Sequence, residues 1–264
     1  MKHLPLTGKM TEKDLRLLFD TVPEAFDRYR TRYCPELFTV LIEQSRTTAA
    51  SSVLELGPGT GQATEPLLNT GCTYTGIELG RNFAGVLRKK YGARANFHLI
   101  HDDFITHDFR DEKFELIYSA ATIQWIPEET AFSKTFELLK PGGMLAMFLT
   151  QRDYRTPNPV LYGDIQKVYD QYFRPEIPYT HGSFGYGNAL KYGYTDWRRR
   201  EFHTTHVYTA DEYVAFCGTH SDHLATPEPW RSRLYEGLHR AVMDSGNRLT
   251  VRDRHILMTV RKPD

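Results

Sequence analysis

Short apolar runs alternate with stretches of mixed polarity along the first 150 residues. An unbroken apolar run that ends at glycine or proline is typical of a strand buried on both faces. Such runs predict strands at residues 51–56, 73–79, 96–104, 114 onward and 144–150. The stretches between them predict helices from about Gln62, near 83–92 and from Pro127 to Lys140. Strands and helices that alternate with short connections predict an α/β fold with a parallel, doubly wound sheet.

Elements of other kinds precede and follow this alternation. Two helical pieces, at residues 11–20 and 34–46, are separated by a polar, basic stretch around two prolines. Alternating polarity and apolar content predict two late strands, within 197–209 and 254–262. Between them, Thr209-x-x-Glu212 is the signature of a capping box and predicts that a helix begins there.

Residues 151–196 interrupt the rhythm of strands and helices. The segment contains four prolines and eight of the sixteen tyrosines, so it is too aromatic to be a flexible linker. We predict that it is an insertion after the fifth strand. Ligands of open α/β sheets bind at the carboxyl ends of the strands, so the insertion is expected to cap a substrate.

Composition and charge narrow the class of protein. Of the 264 residues, 40% are apolar and 25% charged, as in a soluble globular chain, and one domain over 1–264 is favoured. Lys and Arg balance Asp and Glu at 33 each, so no overall field attracts nucleic acid or an anionic membrane. The three cysteines form neither a disulfide framework nor a zinc pattern, and no signal peptide or membrane span is recognised. We expect a cytoplasmic monomer or homodimer that binds a small molecule, with neither a nucleic acid nor a membrane as partner.

The most informative motif follows the first predicted strand and reads Glu-Leu-Gly-Pro-Gly-Thr-Gly from Glu55 to Gly61. Glycines let the backbone turn tightly and approach a ligand closely. The third glycine comes one residue earlier than in the dinucleotide fingerprint G-x-G-x-x-G, and Gln62 takes its place. The Glu55 carboxylate would repel a pyrophosphate but would suit a ligand with an ammonium or sulfonium group. The motif therefore favours a cationic nucleoside over NAD.

Acidic residues end the next two predicted strands. Glu78 lies about 20 residues beyond the first glycine, where a carboxylate accepts hydrogen bonds from the hydroxyls of a ribose. Asp102 is placed to accept a hydrogen bond from an adenine amino group, with Phe104 near the ring. For Asp102 and Asp103, a plain turn or helix-cap role is the alternative.

With these residues in register, the sequence resembles the class I S-adenosylmethionine-dependent methyltransferases, in the type-11 small-molecule branch near the trans-aconitate enzymes. The resemblance covers residues 26–150, and residues 197–264 are similar to the last strands and helix of that fold. It implies a doubly wound, Rossmann-like sheet of seven mostly parallel strands, with helices on both faces and an antiparallel last strand. It implies S-adenosylmethionine as cofactor and S-adenosylhomocysteine as product. The cofactor-binding positions that it implies are Arg30, Tyr33, Glu55, Gly57, Gly59, Gly61, Glu78, Leu79, Asp102, Asp103, Phe104, Ser119 and Ala120.

The N-terminal region resembles the lid of that family. Residues 1–46 are predicted to form a helical lid in which Arg30 and Tyr33 close over the cofactor's carboxylate. Thr31 and Cys34 stand where the family has prolines. A solvated basic helix end is the alternative for any single arginine here.

The acceptor pocket is predicted from a second resemblance. Residues 124–127 read Gln-Trp-Ile-Pro and resemble the Gln-Trp-Val-Pro segment of the trans-aconitate enzymes. Many relatives carry His at position 124, so no general base is assigned and the catalytic residue is left unknown. The predicted reaction is methyl transfer to a small molecule, with O-methylation of a carboxylate favoured because a carboxylate needs no base at neutral pH. The candidates for lining the acceptor pocket are Tyr29, Gln124, Trp125, His181 and Tyr186.

Other interpretations are weighed against this one. The histidine pairs 203/206 and 220/223 lack further ligands at suitable spacing, so no metal is predicted. A catalytically silent S-adenosylmethionine-binding protein and a nicotinamide-dependent oxidoreductase stay open as alternatives. An RNA methyltransferase is disfavoured by the balanced charge and by the lack of an appended RNA-binding domain.

Overall fold

A computed structural model describes residues 12–177 and 184–264. It contains a seven-stranded sheet with the order β3-β2-β1-β4-β5-β7-β6. The strands are β1 (Ser52–Leu56), β2 (Thr73–Glu78), β3 (Phe97–His101), β4 (Phe114–Ala120), β5 (Leu139–Asp153), β6 (Thr195–Tyr208) and β7 (Leu249–Arg261). The pairs β1–β2, β1–β4, β2–β3 and β4–β5 are parallel, and β7 runs antiparallel to β5. The predicted Rossmann-like, mostly parallel sheet with an antiparallel last strand is confirmed.

The helices include several that the hydrophobic pattern did not predict. They are α1 (Glu12–Leu18), α2 (Pro23–Tyr29), α3 (Pro35–Ser45), α4 (Thr64–Leu68), α5 (Arg81–Tyr91), α6 (Glu128–Leu138), α7 (Pro159–Tyr172), α8 (Ala210–Cys217), α9 (Ser221–Leu224) and α10 (Trp230–Asp244). Pro23 and Pro159 begin helices in segments that were expected to be irregular. Proline is suited to the first helical position because its fixed φ is helical and that position has no intrahelical N–H bond to lose.

β5 and β7 are longer than the apolar runs that predicted them. β5 begins at Leu139, so it includes Pro141-Gly142-Gly143, which were expected to form a turn before the strand. Its register against β4 shifts between Phe114 and Leu116, and Gly142 has a φ of +71°, so an irregularity in the ladder accommodates these residues. β7 pairs with β5 from Arg252 to Arg261, which extends the strand beyond the segment predicted at 254–262.

Side chains that alternate along β1 enter two different cores. Leu54 and Leu56 belong to a cluster that includes Phe132 of α6, whereas Val53 belongs to a cluster that includes Leu41 of α3. Both faces of β1 are therefore covered by helices, which explains why its sequence is almost wholly apolar. Glu55 is the exception, and it lies on the same face as Val53.

Backbone contacts divide the chain into two compact units. The first, called here the sheet unit, comprises the described residues within 31–153, 181–206 and 252–264. The second, called the helical unit, comprises those within 1–30, 154–180 and 207–251, and α7, α8 and α10 pack around its own apolar core. The segments predicted as a lid and as a cap each contribute to both units, and those two roles stay predictions. Among the described residues, no helix combines the length and the apolar character needed to cross a membrane.

Candidate cofactor and acceptor site

The candidate site lies at the carboxyl edge of the sheet unit. β1 stands between β2 and β4, and the strand order runs outward from β1 in one direction and from β4 in the other. This reversal creates a crevice outside the strand ends, where open α/β sheets bind ligands. The predicted residues that follow β1, β2, β3 and β4 therefore meet at one edge of four neighbouring strands.

The glycine turn after β1 packs tightly against its neighbours. Gly57 has a φ of +60°, and a Cβ atom there would lie 2.4 Å from Cγ2 of Thr122. Gly61 has a φ of +96°, and its Cβ would lie 2.9 Å from a ring carbon of Tyr91. Both positions thus require glycine for conformation and for space. The resulting loop keeps its backbone close to the crevice.

Glu78 connects the glycine turn to the next helix. It ends β2 and is only 6% exposed. Its Oε2 accepts a hydrogen bond from Gly59 N at 2.8 Å, and its Oε1 accepts one from Gly80 N at 2.7 Å. Gly80 precedes the first residue of α5. The carboxylate is therefore held at the strand end, at the position that a ribose-binding acid occupies in the predicted site.

Glu55 has a different environment from the one its motif suggested. Its side chain is fully buried, and Oε2 accepts hydrogen bonds from the hydroxyls of Thr64 at 2.7 Å, Tyr118 at 2.7 Å and Tyr74. Its Oε1 has no hydrogen-bond partner within the described part of the chain. Burial raises the pKa of Glu55, and the three hydroxyl donors oppose that rise. The residue supports the turn from below, and its predicted interaction with a cationic ligand stays a prediction.

The acids after β3 make local bonds and yet keep one carboxylate accessible. Asp102 Oδ2 lies 2.8 Å from Nδ1 of His107, and the Asp102 side chain is 49% exposed. The hydrogen bond with His107, followed by that from Asp103 N, lowers the pKa of Asp102. Asp103 Oδ1 accepts a hydrogen bond from Ile105 N at 3.0 Å, which is the turn geometry named as its alternative role. Phe104 is buried and packs against Phe109.

The end of β4 brings several predicted residues together. Ser119 is fully buried, and its Oγ accepts a hydrogen bond from Ile123 N at 2.8 Å. Gln124 and Trp125 lie in the short 3-10 turn that follows, and the Tyr186 hydroxyl lies 3.4 Å from Gln124 Oε1. A tyrosine of the predicted insertion therefore contacts the Gln-Trp-Ile-Pro segment. Ala120 and, after β2, Leu79 are half-buried beside these positions.

The predicted lid residues fall in different units. In the sheet unit, the Tyr33 ring packs edge-on against Phe148, with 4.8 Å between centroids. In the helical unit, Arg30 donates a hydrogen bond to the Thr219 carbonyl at 2.7 Å. Tyr29 belongs to the helical unit as well. His181, a predicted pocket residue, lies outside the described residues.

Sequence reasoning missed the groups that surround Glu55 and Gly57. Tyr74 and Tyr118 lie within predicted strands, where a tyrosine is typical of a core. The sheet register pairs Glu55 with Tyr118, and this cross-strand relation has no local signal in the sequence. Thr122, whose hydroxyl donates to the Gly57 carbonyl at 3.1 Å, was equally unmarked. Across residues 12–177 and 184–264, no group of three or more His, Cys, Asp or Glu side chains has the arrangement of a metal site.

Strand order, switch-point crevice and glycine turn together define a Rossmann-like α/β protein of the methyltransferase class. A protein-family model described as "Methyltransferase domain" matches residues 54–147. These residues, from β1 through most of β5, are thus a methyltransferase domain of that family.

Similarity to curated proteins centres on the same region. A ribosomal RNA small subunit methyltransferase A from a Synechococcus species is 43% identical over 53 residues, 20% of this chain and 19% of its own length. A malonyl-[acyl-carrier protein] O-methyltransferase 2 from Ilyobacter polytropus is 27% identical over 51% of this chain and 52% of its own length. A trans-aconitate 2-methyltransferase from Variovorax paradoxus is 32% identical over 49% and 50%. The chain thus spans about half the length of the latter two relatives and about a fifth of the first.

A solved structure resembles nearly the whole fold. The phosphoethanolamine N-methyltransferase 2 of Haemonchus contortus, in complex with phosphomonomethylethanolamine and S-adenosylhomocysteine, superposes with a TM-score of 0.59. The alignment covers 97% of this chain and 61% of that one at 16% identity. The likeness concerns the fold and extends it beyond the domain matched by the family model.

Proposed function

We propose that this protein is an S-adenosylmethionine-dependent methyltransferase that acts on a small-molecule acceptor. The observation that carries the proposal is the Glu78 carboxylate, buried at the carboxyl edge and bonded to the glycine turn and to the start of α5. Asp102 stands at the end of the neighbouring strand, since β3 pairs with β2. Two carboxylates at adjacent strand ends, beside a glycine turn, suit the hydroxyl and amino donors of an adenosine.

The described residues fit the cofactor in three parts. Gly57, Gly59 and Gly61 would hold its methionine portion, Glu78 its ribose and Asp102 its adenine. Leu79, Asp103, Phe104, Ser119 and Ala120 flank these groups in the proposed site. When bound, the cofactor supplies an electrophilic methyl group on a sulfonium. The protein's contribution is then orientation of the two reactants and exclusion of water.

The acceptor is proposed to be a small carboxylate that is methylated on oxygen. Two relatives are named for malonyl and trans-aconitate substrates, both of which are carboxylates. A carboxylate is already the nucleophile at neutral pH, which agrees with a site in which no general base has been assigned. Gln124, Trp125 and Tyr186 are the proposed lining of this pocket. Tyr29, His181, Arg30 and Tyr33 are kept as further candidates, as are the cytoplasmic location and the monomeric or homodimeric state.

Calorimetric titration tests the cofactor. S-adenosylmethionine and S-adenosylhomocysteine are titrated into protein that has been checked for co-purified ligand, with NAD as the control. We expect micromolar binding of the first two ligands and none of NAD. Binding of NAD alone would support the oxidoreductase alternative, and no binding by a folded, ligand-free protein would overturn the proposal.

Transfer of a labelled methyl group tests the acceptor. Di- and tricarboxylates, alcohols, amines and RNA are offered in parallel, and labelled product is separated from labelled cofactor. We expect product from the carboxylates alone. Binding of the cofactor without turnover of any acceptor would favour the catalytically silent alternative.

A further inference from the structure

A lysine outside the predicted site holds the loop that carries Asp102. Lys134 of α6 donates hydrogen bonds from Nζ to the carbonyls of Phe104 at 2.7 Å and His107 at 2.5 Å, and lies 3.4 Å from that of Ile105. An ammonium group has three donors, so each of them has a carbonyl of this one loop within reach. The same Nζ lies 5.0 Å from the ring centroid of Phe104, which adds a cation–π contact.

The loop itself converts this anchor into the placement of a carboxylate. The Asp103 carbonyl accepts hydrogen bonds from Thr106 N at 3.1 Å and from His107 N at 2.9 Å, which closes the loop into a turn. The His107 ring then packs edge-on against Phe109, with 4.6 Å between centroids. In this position, His107 Nδ1 lies 2.8 Å from Asp102 Oδ2. The chain of contacts runs from Lys134 through the loop backbone to His107 and ends at Asp102.

We infer that Lys134 is a positioning residue that orients the Asp102 carboxylate, through His107, toward the exocyclic amino group of the cofactor's base. The inference rests on the proposed function, because it assumes that Asp102 faces the adenine. Lys134 itself touches neither cofactor nor acceptor in this scheme. Its effect is to set how well the site distinguishes a base with an amino group from one without it.

Two ligands that differ at that amino group test the inference. S-adenosylhomocysteine and S-inosylhomocysteine, in which a carbonyl oxygen replaces the amino group, are titrated into the wild type and into Lys134→Met. Methionine keeps the apolar stem and removes the ammonium. We expect Lys134→Met to bind S-adenosylhomocysteine about tenfold more weakly and S-inosylhomocysteine unchanged, since each lost charge-assisted contact is worth on the order of a tenfold change.

Matched variants separate positioning from loss of structure. Lys113 lies in the same region, but its Nζ donates to the Glu137 carbonyl at 3.1 Å, so Lys113→Met should keep both affinities. Lys134→Arg, which keeps a cation and several donors, should restore part of the lost affinity. In an Asp102→Ala background, Lys134→Met should have little further effect, because the two residues act in series. If Lys134→Met does not fold, His107→Phe keeps the ring against Phe109 and should show the same loss of discrimination.

Three results would overturn the inference. Equal weakening of both ligands in Lys134→Met would show a general structural role, and unchanged affinity for both would show no role. Additive effects of Lys134→Met and Asp102→Ala would show that lysine does not act through the carboxylate. Absence of S-adenosylhomocysteine binding by the wild type would instead overturn the proposed function, and this inference with it.

Discussion

At the scale of single residues, Glu55 and Glu78 show how the surroundings of a carboxylate decide its role. Both lie at the carboxyl edge of neighbouring strands, and both are buried. Glu55 is enclosed by hydroxyls beneath the glycine turn, and burial raises its pKa. Glu78 instead accepts backbone N–H bonds from the turn and from the start of α5. Of the two, Glu78 has the surroundings suited to a ligand-binding carboxylate.

Replacing Glu78 should weaken cofactor binding severely. In Glu78→Gln one carboxylate oxygen becomes an NH₂ group, so the charge and one acceptor are lost. We expect a loss of about 2 kcal/mol or more, which is roughly a 30-fold increase in the Kd for S-adenosylhomocysteine by calorimetry. The exposed Glu65→Gln on α4 serves as the control and should bind as the wild type does. Unchanged affinity in Glu78→Gln would remove the ribose assignment.

At the scale of elements, helix starts show where local sequence is sufficient. The capping box predicted at Thr209 and Glu212 is present: Thr209 Oγ1 accepts from Glu212 N, and Glu212 Oε2 accepts from Thr209 N. Each bond joins residues three apart, so no distant contact is needed to form it. The glycine turn is local in the same sense, because backbone sterics alone favour glycine at positive φ.

Removing the cap should destabilise α8 measurably. Thr209→Ala leaves an N–H of the first turn without its side-chain acceptor and should lower the free energy of unfolding by about 1 kcal/mol. Urea denaturation followed by circular dichroism measures the difference. Thr39→Ala removes an exposed hydroxyl from within α3 and should cost less. A Thr209→Ala protein as stable as the wild type would mean that tertiary packing alone holds this helix end.

At the scale of the whole molecule, buried histidines make stability depend on pH. His255 is fully buried, with its ring nitrogens 2.8 Å and 3.0 Å from the hydroxyls of Thr150 and Thr204. Burial, together with nearby His206 and Arg152, lowers the pKa of His255 to about 4. The unfolded chain, with an ordinary pKa near 6.5, therefore binds more protons than the folded protein between these values. The contribution of His255 is fully present above pH 6.5 and is lost as the pH falls toward 4.

His255→Gln should reduce this sensitivity to acid. The pKa difference corresponds to at most about 3 kcal/mol, so the variant should lose less stability than the wild type between pH 7 and pH 4.5 by up to that amount. Urea unfolding at several pH values gives the two slopes. His98 is exposed, and His98→Gln should follow the wild-type slope. Parallel slopes for His255→Gln and the wild type would contradict the assignment.

Both kinds of result, local and distant, appear in the fold and in the site. The strands, the glycine turn, the acids at the strand ends and the capping box followed from short-range patterns. The helix that begins at Pro23, the extension of β5 through Gly142 and the contacts of Glu55 did not. In each of these cases the deciding interaction is with a strand, helix or side chain far away in sequence, or with a proline whose position in a helix start the pattern left undecided.

The sequence by itself determined the type of sheet, the place of the glycine turn and the strand-end acids, because burial period and backbone sterics act over a few residues. Only the tertiary structure decided that hydroxyls enclose Glu55, that Tyr186 reaches Gln124 and that Lys134 holds the loop of Asp102. Those contacts join residues 27 to 63 positions apart. Their partners are selected by how strands and helices pack in three dimensions, and a linear pattern carries no record of that packing.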